Sequence, residues 1–422
     1  MSELGTTPPI PIAPVRRRAV LGPLHEPLFR SLWIAAVISY IGRWMQTVGA
    51  GWLMTSLTMS PFMVGLVQAA SSVAVFLVVL PAGAIADVID RRKLLLFTQA
   101  WMVLAAAVLG VLTLAGLVTP SLLLLFTFLI GFGAVLNDPA WQAITPEVVS
   151  HEHFPAAIAL NSAGYNVARA VGPALGGLII AASSSGTVFL LNATSIFGVI
   201  YFLYRWDRHP GPSFMRPDHM FRAMFDGFRY LRTSHTMQSV LVRSAVFSVP
   251  ANALPALLPL LAHPYGSRGY GLLLGFFGVG AVAGATLLPA LRRRLSVDTL
   301  VSASTAIFAL MTFAAGRWQN FAVLSAANLV GGIAWIQILA SLNVSAQTMC
   351  PGRMRARAIS MYLLILQGGF AAGAALWGAI AERVGMAQSL LYAAVALLVG
   401  TVAVFWFRLH TFQVEPDTMG MD

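Results

Sequence analysis

The chain has 422 residues, of which 58% are hydrophobic and 10% charged, against about a quarter charged in a soluble domain. That much apolar surface excludes a water-soluble globular fold, which keeps a largely polar exterior. The net charge of +11 is carried by arginine, with Lys93 the single lysine; the aromatics sit in apolar runs rather than among the arginines, which fits basic cytoplasmic loops and not a nucleic-acid surface.

The first thirty residues hold a proline-rich stretch, Thr7 to Pro14, and the basic Arg16-Arg17-Arg18. No small-residue cleavage site accompanies the apolar run from Ser31, so this run is expected to stay as a first span behind a cytoplasmic tail, 1–30. A span needs about 20 mostly apolar residues. Spans are predicted at 31–55, 61–85, 94–116, 120–139, 156–182 and 186–204, then at 238–262, 270–291, 297–316, 320–345, 357–380 and 386–407. The expected fold is an all-α integral membrane protein of about twelve transmembrane helices in two six-helix halves, 31–204 and 238–408. Between them, 205–237 is the longest polar stretch. Its Phe221, Met224, Phe225, Phe228 and Leu231 recur at helical spacing with Arg222, Arg229 and Arg232 between them, which predicts an amphipathic helix on the cytoplasmic surface. A second cytoplasmic tail, 409–422, ends the chain.

The basic clusters Arg16–Arg18, Arg91–Lys93, the 205–232 linker, Arg292–Arg294, Arg353–Arg357 and Arg408 fall at alternate ends of the spans. That is the positive-inside pattern, with both termini cytoplasmic. Two helical halves on a long cytoplasmic linker make a transporter layout, in which the halves rock about a site near the midplane. Cys350 is the only cysteine, no metal-ligand spacing is present, and no GxxxxGK[ST] loop appears. No metal, cofactor or ATP motor is therefore expected. No catalytic cluster stands out either: His151, Glu152 and His153 read as a solvated loop.

Between the second and third spans runs Gly83-Ala84-Ile85-Ala86-Asp87-Val88-Ile89-Asp90-Arg91-Arg92-Lys93-Leu94. Gly83 permits close helix packing. Asp87 can face a helix N-terminus of the other half, and Arg91, four residues on, can pair with it if the helix continues. The segment resembles the signature loop of the major facilitator superfamily. The equivalent loop of the second half, Gly284 to Leu295, keeps Arg292-Arg293-Arg294 but has no Asp. In the fifth span, Arg169-Ala170-Val171-Gly172-Pro173-Ala174-Leu175-Gly176-Gly177 contains a GPxxGG core that resembles the antiporter motif of proton-coupled exporters in that superfamily. The first glycine of the fuller pattern is replaced by Ala168, and the family's fourth-span Arg-Gln-Gly motif is absent. Together with Trp44-Met45-Gln46, Asn137-Asp138-Pro139-Ala140-Trp141 and Asn166-Val167-Ala168, these segments resemble the branch of enterobactin-exporter-like and multidrug-type facilitators, the transmembrane secretion effectors.

The resemblance implies a bacterial inner-membrane transporter that exports drug- or siderophore-type amphipathic molecules by alternating access with proton antiport. The alternative is a lysophospholipid carrier or uniporter of the same fold. Its expected partners are a small-molecule substrate, protons and membrane lipids, with no nucleic acid, and the expected state is a monomer. Gating and charge relay fall to Gly83, Asp87, Arg91, Arg92 and Asp138, and the antiporter-type motif to Arg169, Gly172, Pro173, Gly176 and Gly177. Arg43 and Arg169 lie near the middle of their spans, where a charge marks a pathway. Arg43, with Tyr40, Gln46, Asn166, Asn252, Gln337 and Gln367, is an expected cavity residue, and Arg169, beside the GPxxGG core, is assigned to structure and gating ahead of direct substrate contact. No Asp or Glu falls at mid-span in this reading; Asp87 and Asp138 stand toward the cytoplasmic end.

Overall fold

The computed structural model describes residues 21–150, 152–206, 235–348 and 355–409, and their side chains apart from those of 79–88, 235–236, 355–357 and 403. The expected linker helix, Arg16–Arg18, His151, Cys350 and Arg353 lie outside the described residues, as do most of both tails.

In chain order the first half comprises α1 (Pro27–Leu57), α2 (Pro61–Val88), α3 (Arg91–Leu114), α4 (Pro120–Val148), α5 (Phe154–Ala182) and α6 (Ser185–Arg205). The second half begins with a helix in two parts, α7a (His235–Ala251) and α7b (Ala253–Leu261). It continues with α8 (Gly266–Arg292), α9 (Val297–Arg317), α10 (Phe321–Thr348), α11 (Arg355–Val384) and α12 (Met386–Thr401). Among the described residues, ten spans are long and apolar enough to cross a membrane; α1, with its two arginines, and the short α12 fall outside that set.

Local chemistry marks the helix ends. Asp90, Thr119, Ser184 and Ser296 each accept a bond from the backbone N–H three residues on, capping α3, α4, α6 and α9. Gly385 takes φ 89° in the one-residue turn between α11 and α12, a conformation that β-carbon residues avoid.

Two boundaries differ from the sequence expectation. The fourth helix does not stop at Pro139 but runs through Pro139 and Pro146 to Val148. Ala140, Ile144 and Val148 on this extension are buried in a core with Leu94, Leu95, Leu160 and Leu203, and that packing holds the helix past its prolines. The seventh span is interrupted at Asn252, between Pro250 and Pro255, which supply no backbone N–H. Asn252, itself buried, donates Nδ2 to the Phe370 carbonyl at 2.7 Å.

Apolar side chains face outward in stripes. On α3, Phe97, Leu104 and Val111 recur every seventh residue and are each more than half exposed. Such a belt suits hydrocarbon and not water.

The halves meet along two seams, α2 against α11 and α5 against α8. The ends of the bundle differ. One, the basic end, carries Arg91–Lys93, Arg205 and Arg292–Arg294; the other, the far end, carries the turns at 58–60, 115–119, 183–184, 262–265 and 385. Toward the far end the halves share cores: Met45, Val48, Ile180 and Val188 of the first pack with Leu254, Leu257, Tyr270 and Leu390 of the second. Ala69 packs with Ala256 and Ala374. Toward the basic end each half keeps its own core, one around Leu94, Leu160 and Leu203 and one around Phe308, Trp335 and Tyr362. Among the described side chains, the bundle is thus closed at the far end and parted at the basic end.

Candidate translocation site

The parted end leads to a cavity of ≈ 330 Å³ lined by Tyr40 and Arg43 of α1, Asp138, Trp141 and Gln142 of α4, and Asn161, Tyr165 and Asn166 of α5. The volume is that of a small-molecule pocket. Arg43 Nη1 lies 3.5 Å from Asp138 Oδ1, with the side chains 30% and 55% exposed, so both partners of the ion pair remain open to the cavity. The Arg43 guanidinium also sits 5.7 Å from the centre of the Tyr40 ring, and Tyr40 meets Tyr165 edge-on at 5.5 Å.

The position of Asp138 is a correction. With α4 continuing to Val148, Asp138 lies about 15 Å inside the basic end at 1.5 Å per residue. It pairs with Arg43 and not with Arg91. The adjacent Asn137 points elsewhere: buried, it accepts hydrogen bonds from Thr98 at 3.3 Å and Gln99 at 3.1 Å, fastening α4 to α3. One of these neighbours is structural and the other faces the cavity, as their different directions on the helix require.

The expected cavity residues divide. Tyr40, Arg43 and Asn166 line the cavity, although Asn166 spends its Nδ2 donor on the Ser162 carbonyl at 2.8 Å. Gln46 is buried and accepts a bond from Asn192 of α6. Gln337 is buried and donates to the Gly284 carbonyl at 2.7 Å, binding α10 to α8. Asn252 serves the break in the seventh span. These three hold helices together and lie off the cavity wall. Gln367 is half-buried on α11 and makes no side-chain hydrogen bond among the described residues.

The signature loop also has a geometry of its own. Gly83 and Asp87 belong to the last turns of α2, and their surroundings lie outside the described side chains. The helix does not continue to Arg91. Instead α2 ends at Val88, Asp90 caps α3, and Arg91 bonds Glu147 Oε1 at 2.9 Å and the Ala143 carbonyl at 3.2 Å. Arg92 donates to the Leu203 carbonyl at 2.8 Å and to that of Tyr204, neutralising the negative end of α6. Among the described residues these partners all belong to the first half. A fourth span ending at 139, as hydropathy predicts, leaves Glu147 off the helix; the helix to Val148 brings it to Arg91.

His153 likewise has a fixed role. Its Nδ1 lies 2.9 Å from Glu26 Oε1, which also accepts from the Ser150 backbone N–H at 3.1 Å and hydroxyl at 2.9 Å. These bonds, that of His153 foremost, hold the Glu26 carboxyl below its ordinary range. They tie the start of α1 to the turn between α4 and α5.

The GPxxGG segment is a three-helix junction. A β-carbon on Gly172 would stand 2.6 Å from Trp44 Cβ, and one on Gly176 3.0 Å from Met45 Cα, so this face of α5 lies on α1. One on Gly177 would strike the Ser267 carbonyl and come within 2.9 Å of Gly271 Cα, so the next face lies on α8. Gly271 in turn faces the Pro173 carbonyl, and Gly278 the backbone of Arg169 and Ala170. Small residues bring the backbones of the two halves into contact. The far-end rim is finished by Trp52, stacked on His263 at 5.7 Å and Tyr270 at 6.4 Å, and by Glu382, which accepts from Ser60 at 2.6 Å and the Phe62 N–H at 2.9 Å.

Two bundles meeting at α2–α11 and α5–α8, with a polar cavity on the wall of the first, have the fold of the major facilitator superfamily of secondary transporters. The same fold is found in a solved point mutant of the nucleoside transporter NupG, with TM-score 0.75 and 15% identity over 90% of this chain and 100% of that one. A bacterial homolog of the human lysosomal transporter Spinster, inward-facing and occupied, matches with TM-score 0.73 and 16% identity over 91% and 97%. The chain belongs to the transmembrane secretion effector family, whose pattern matches residues 18–419. It is 26% identical over 363 residues to the enterobactin exporter EntS of Escherichia coli O1:K1, covering 84% of this chain and 85% of EntS. It is 23% identical over 283 residues to the staphyloferrin A transporter of Staphylococcus aureus NCTC 8325, covering 65% and 70%.

Proposed function

We propose that this secondary transporter exports small amphipathic molecules of siderophore or drug type across the bacterial inner membrane, in exchange for protons. The observation that carries this reading is the Arg43–Asp138 ion pair inside a cavity reached from the basic end. The positive-inside rule assigns the basic end to the cytoplasm, with both termini there, so the cavity loads from inside. The halves 31–204 and 238–408 rock about it, and the kinship with two siderophore transporters supports the substrate type.

Coupling follows from competition. A substrate that donates a hydrogen bond to the Asp138 carboxylate and a proton that neutralises it contest the same oxygens. A carrier that moves outward with substrate and returns with a proton on Asp138 performs antiport. Gly83 and Asp87 with Arg91 and Arg92 gate the basic end, and Gly172, Pro173, Gly176 and Gly177 the far end.

Purified protein in proteoliposomes containing a pH dye tests the reading with a panel of siderophores, dyes and drugs. Substrate-dependent proton movement that is lost in Asp138→Asn supports antiport. Flux without proton movement removes the coupling and leaves a uniporter.

A further inference from the structure

Arg169 occupies an unusual place. It stands on α5 beside the last glycine contact of the α5–α8 seam, where Gly278 lies against its backbone, at the apex of the opening between the halves. Its guanidinium, half-buried, lies 5.6 Å from the Trp44 ring of the first half and 5.5 Å from the Phe277 ring of the second. Among the described residues it has no carboxylate partner and no hydrogen-bond acceptor. The indole Nε1 of Trp44 is also buried without an acceptor. A buried donor is ordinarily paired; here the Trp44 indole is unanswered, and beside it stands a half-buried cation without a protein acceptor among the described residues. Such a cation is costly in a membrane unless an anion meets it.

The walls on either side differ in chemistry. Toward the first half, Trp44 meets Tyr165 at 6.1 Å, and Tyr165 leads to Tyr40, Arg43 and the polar cavity. Toward the second half, Phe277 meets Trp335 at 5.8 Å, and Trp335 stacks on Phe370 at 5.1 Å. Trp335 and Phe370 are themselves buried, so the site offers a cation at the centre, hydrogen-bonding groups on one side and the half-buried Phe277 ring, backed by that core, on the other.

Resting on the reading of the chain as a carrier of amphipathic molecules, we propose that Arg169 is the anion-binding residue of the substrate site, and that the substrate is an aromatic or ring-bearing organic anion. Its carboxylate, sulfonate or phenolate oxygen meets Arg169 and its ring lies along Phe277. Arg169 spans the two halves through its aromatic neighbours, so an anion bound there touches both.

The test uses full-length protein in nanodiscs and two fluorescent probes with one ring skeleton, the anionic 1-anilinonaphthalene-8-sulfonate and the uncharged N-phenyl-1-naphthylamine, with empty nanodiscs subtracted. The wild type is expected to bind the sulfonate more tightly. Arg169→Gln is expected to weaken the sulfonate about tenfold, the worth of a charged hydrogen bond, and to leave the uncharged probe within about twofold. Phe277→Ala is expected to weaken both. Equal weakening of both probes by Arg169→Gln, no change in either, or no preference for the sulfonate in the wild type would overturn the proposal; the last needs no variant. Because binding requires no gradient, absence of export in proteoliposomes would remove the carrier reading while this result stood separately.

Discussion

Arg43 Nη1 and Asp138 Oδ1 stand 3.5 Å apart within the cavity, joining α1 to α4. Both are open to solvent, so their mutual attraction adds less than about 1 kcal/mol to stability. The pair is placed for exchange of partners more than for support. Asp138→Asn is expected to leave the melting temperature nearly unchanged and to abolish substrate-driven proton movement. Thermal melting and a pH dye in proteoliposomes check both, and substrate-driven proton movement that persists in Asp138→Asn assigns the proton to another group.

At the opposite end, Gly177→Ala is expected to force α5 away from α8, because the added carbon meets the Ser267 backbone. A cysteine at Ala262, fully buried in the shared core, reports the opening in a background with Cys350→Ser. Maleimide labelling should accelerate several-fold with Gly177→Ala. An unchanged rate means the seam yields elsewhere.

The Gln46–Asn192 bond links α1 and α6 in a buried setting. Gln46→Leu or Asn192→Leu alone leaves a polar group unanswered and should cost about 1–3 kcal/mol, while the double variant should recover most of it. Thermal melting of all three measures this. Substrate selectivity should not move, since neither residue lines the cavity.

Glu26 links the start of α1 to Ser150 and His153. Its carboxyl is held below the ordinary value of 4.5, first by the His153 hydrogen bond. A depressed carboxylate stabilises fully above its unfolded value and loses that effect as pH falls through the lower, folded one. Hydrogen-exchange protection of the Ser150 amide should therefore be constant above about pH 4.5 and decline below it. Glu26→Gln should lower it at every pH. Protection that persists unchanged to strongly acid pH would detach Ser150 from Glu26.

The twelve helices and the kinship are legible because hydropathy, alternating arginine clusters and the Gly83–Leu94 and Arg169–Gly177 motifs are local patterns. The cavity was legible only in part. Arg43 and Tyr40 stood out as polar groups in an apolar span, but Gln46, Asn252 and Gln337 carry the same signal, and only packing separates a helix tie from a cavity wall. Asp138 was placed too near the surface because Pro139 reads as a stop. Its helix continues because Ala140, Ile144 and Val148 are buried against α3, α5 and α6, a contact that no window of sequence contains. The Glu147 partner of Arg91 was lost with the same boundary.

The Gly177–Gly271 contact has a mechanical consequence. Interlocked side chains act as gear teeth, and turning one helix against another then requires them to disengage. Where backbone lies on backbone there are no teeth, and α5 and α8 form a plain bearing. Resistance to opening the far end then resides in its clasps, Trp52 on His263 and Tyr270 and Glu382 on Ser60, and in the apolar cores the halves share there. None of these residues lines the Arg43–Asp138 cavity, so the stiffness of the far end can change while the shape of that cavity does not.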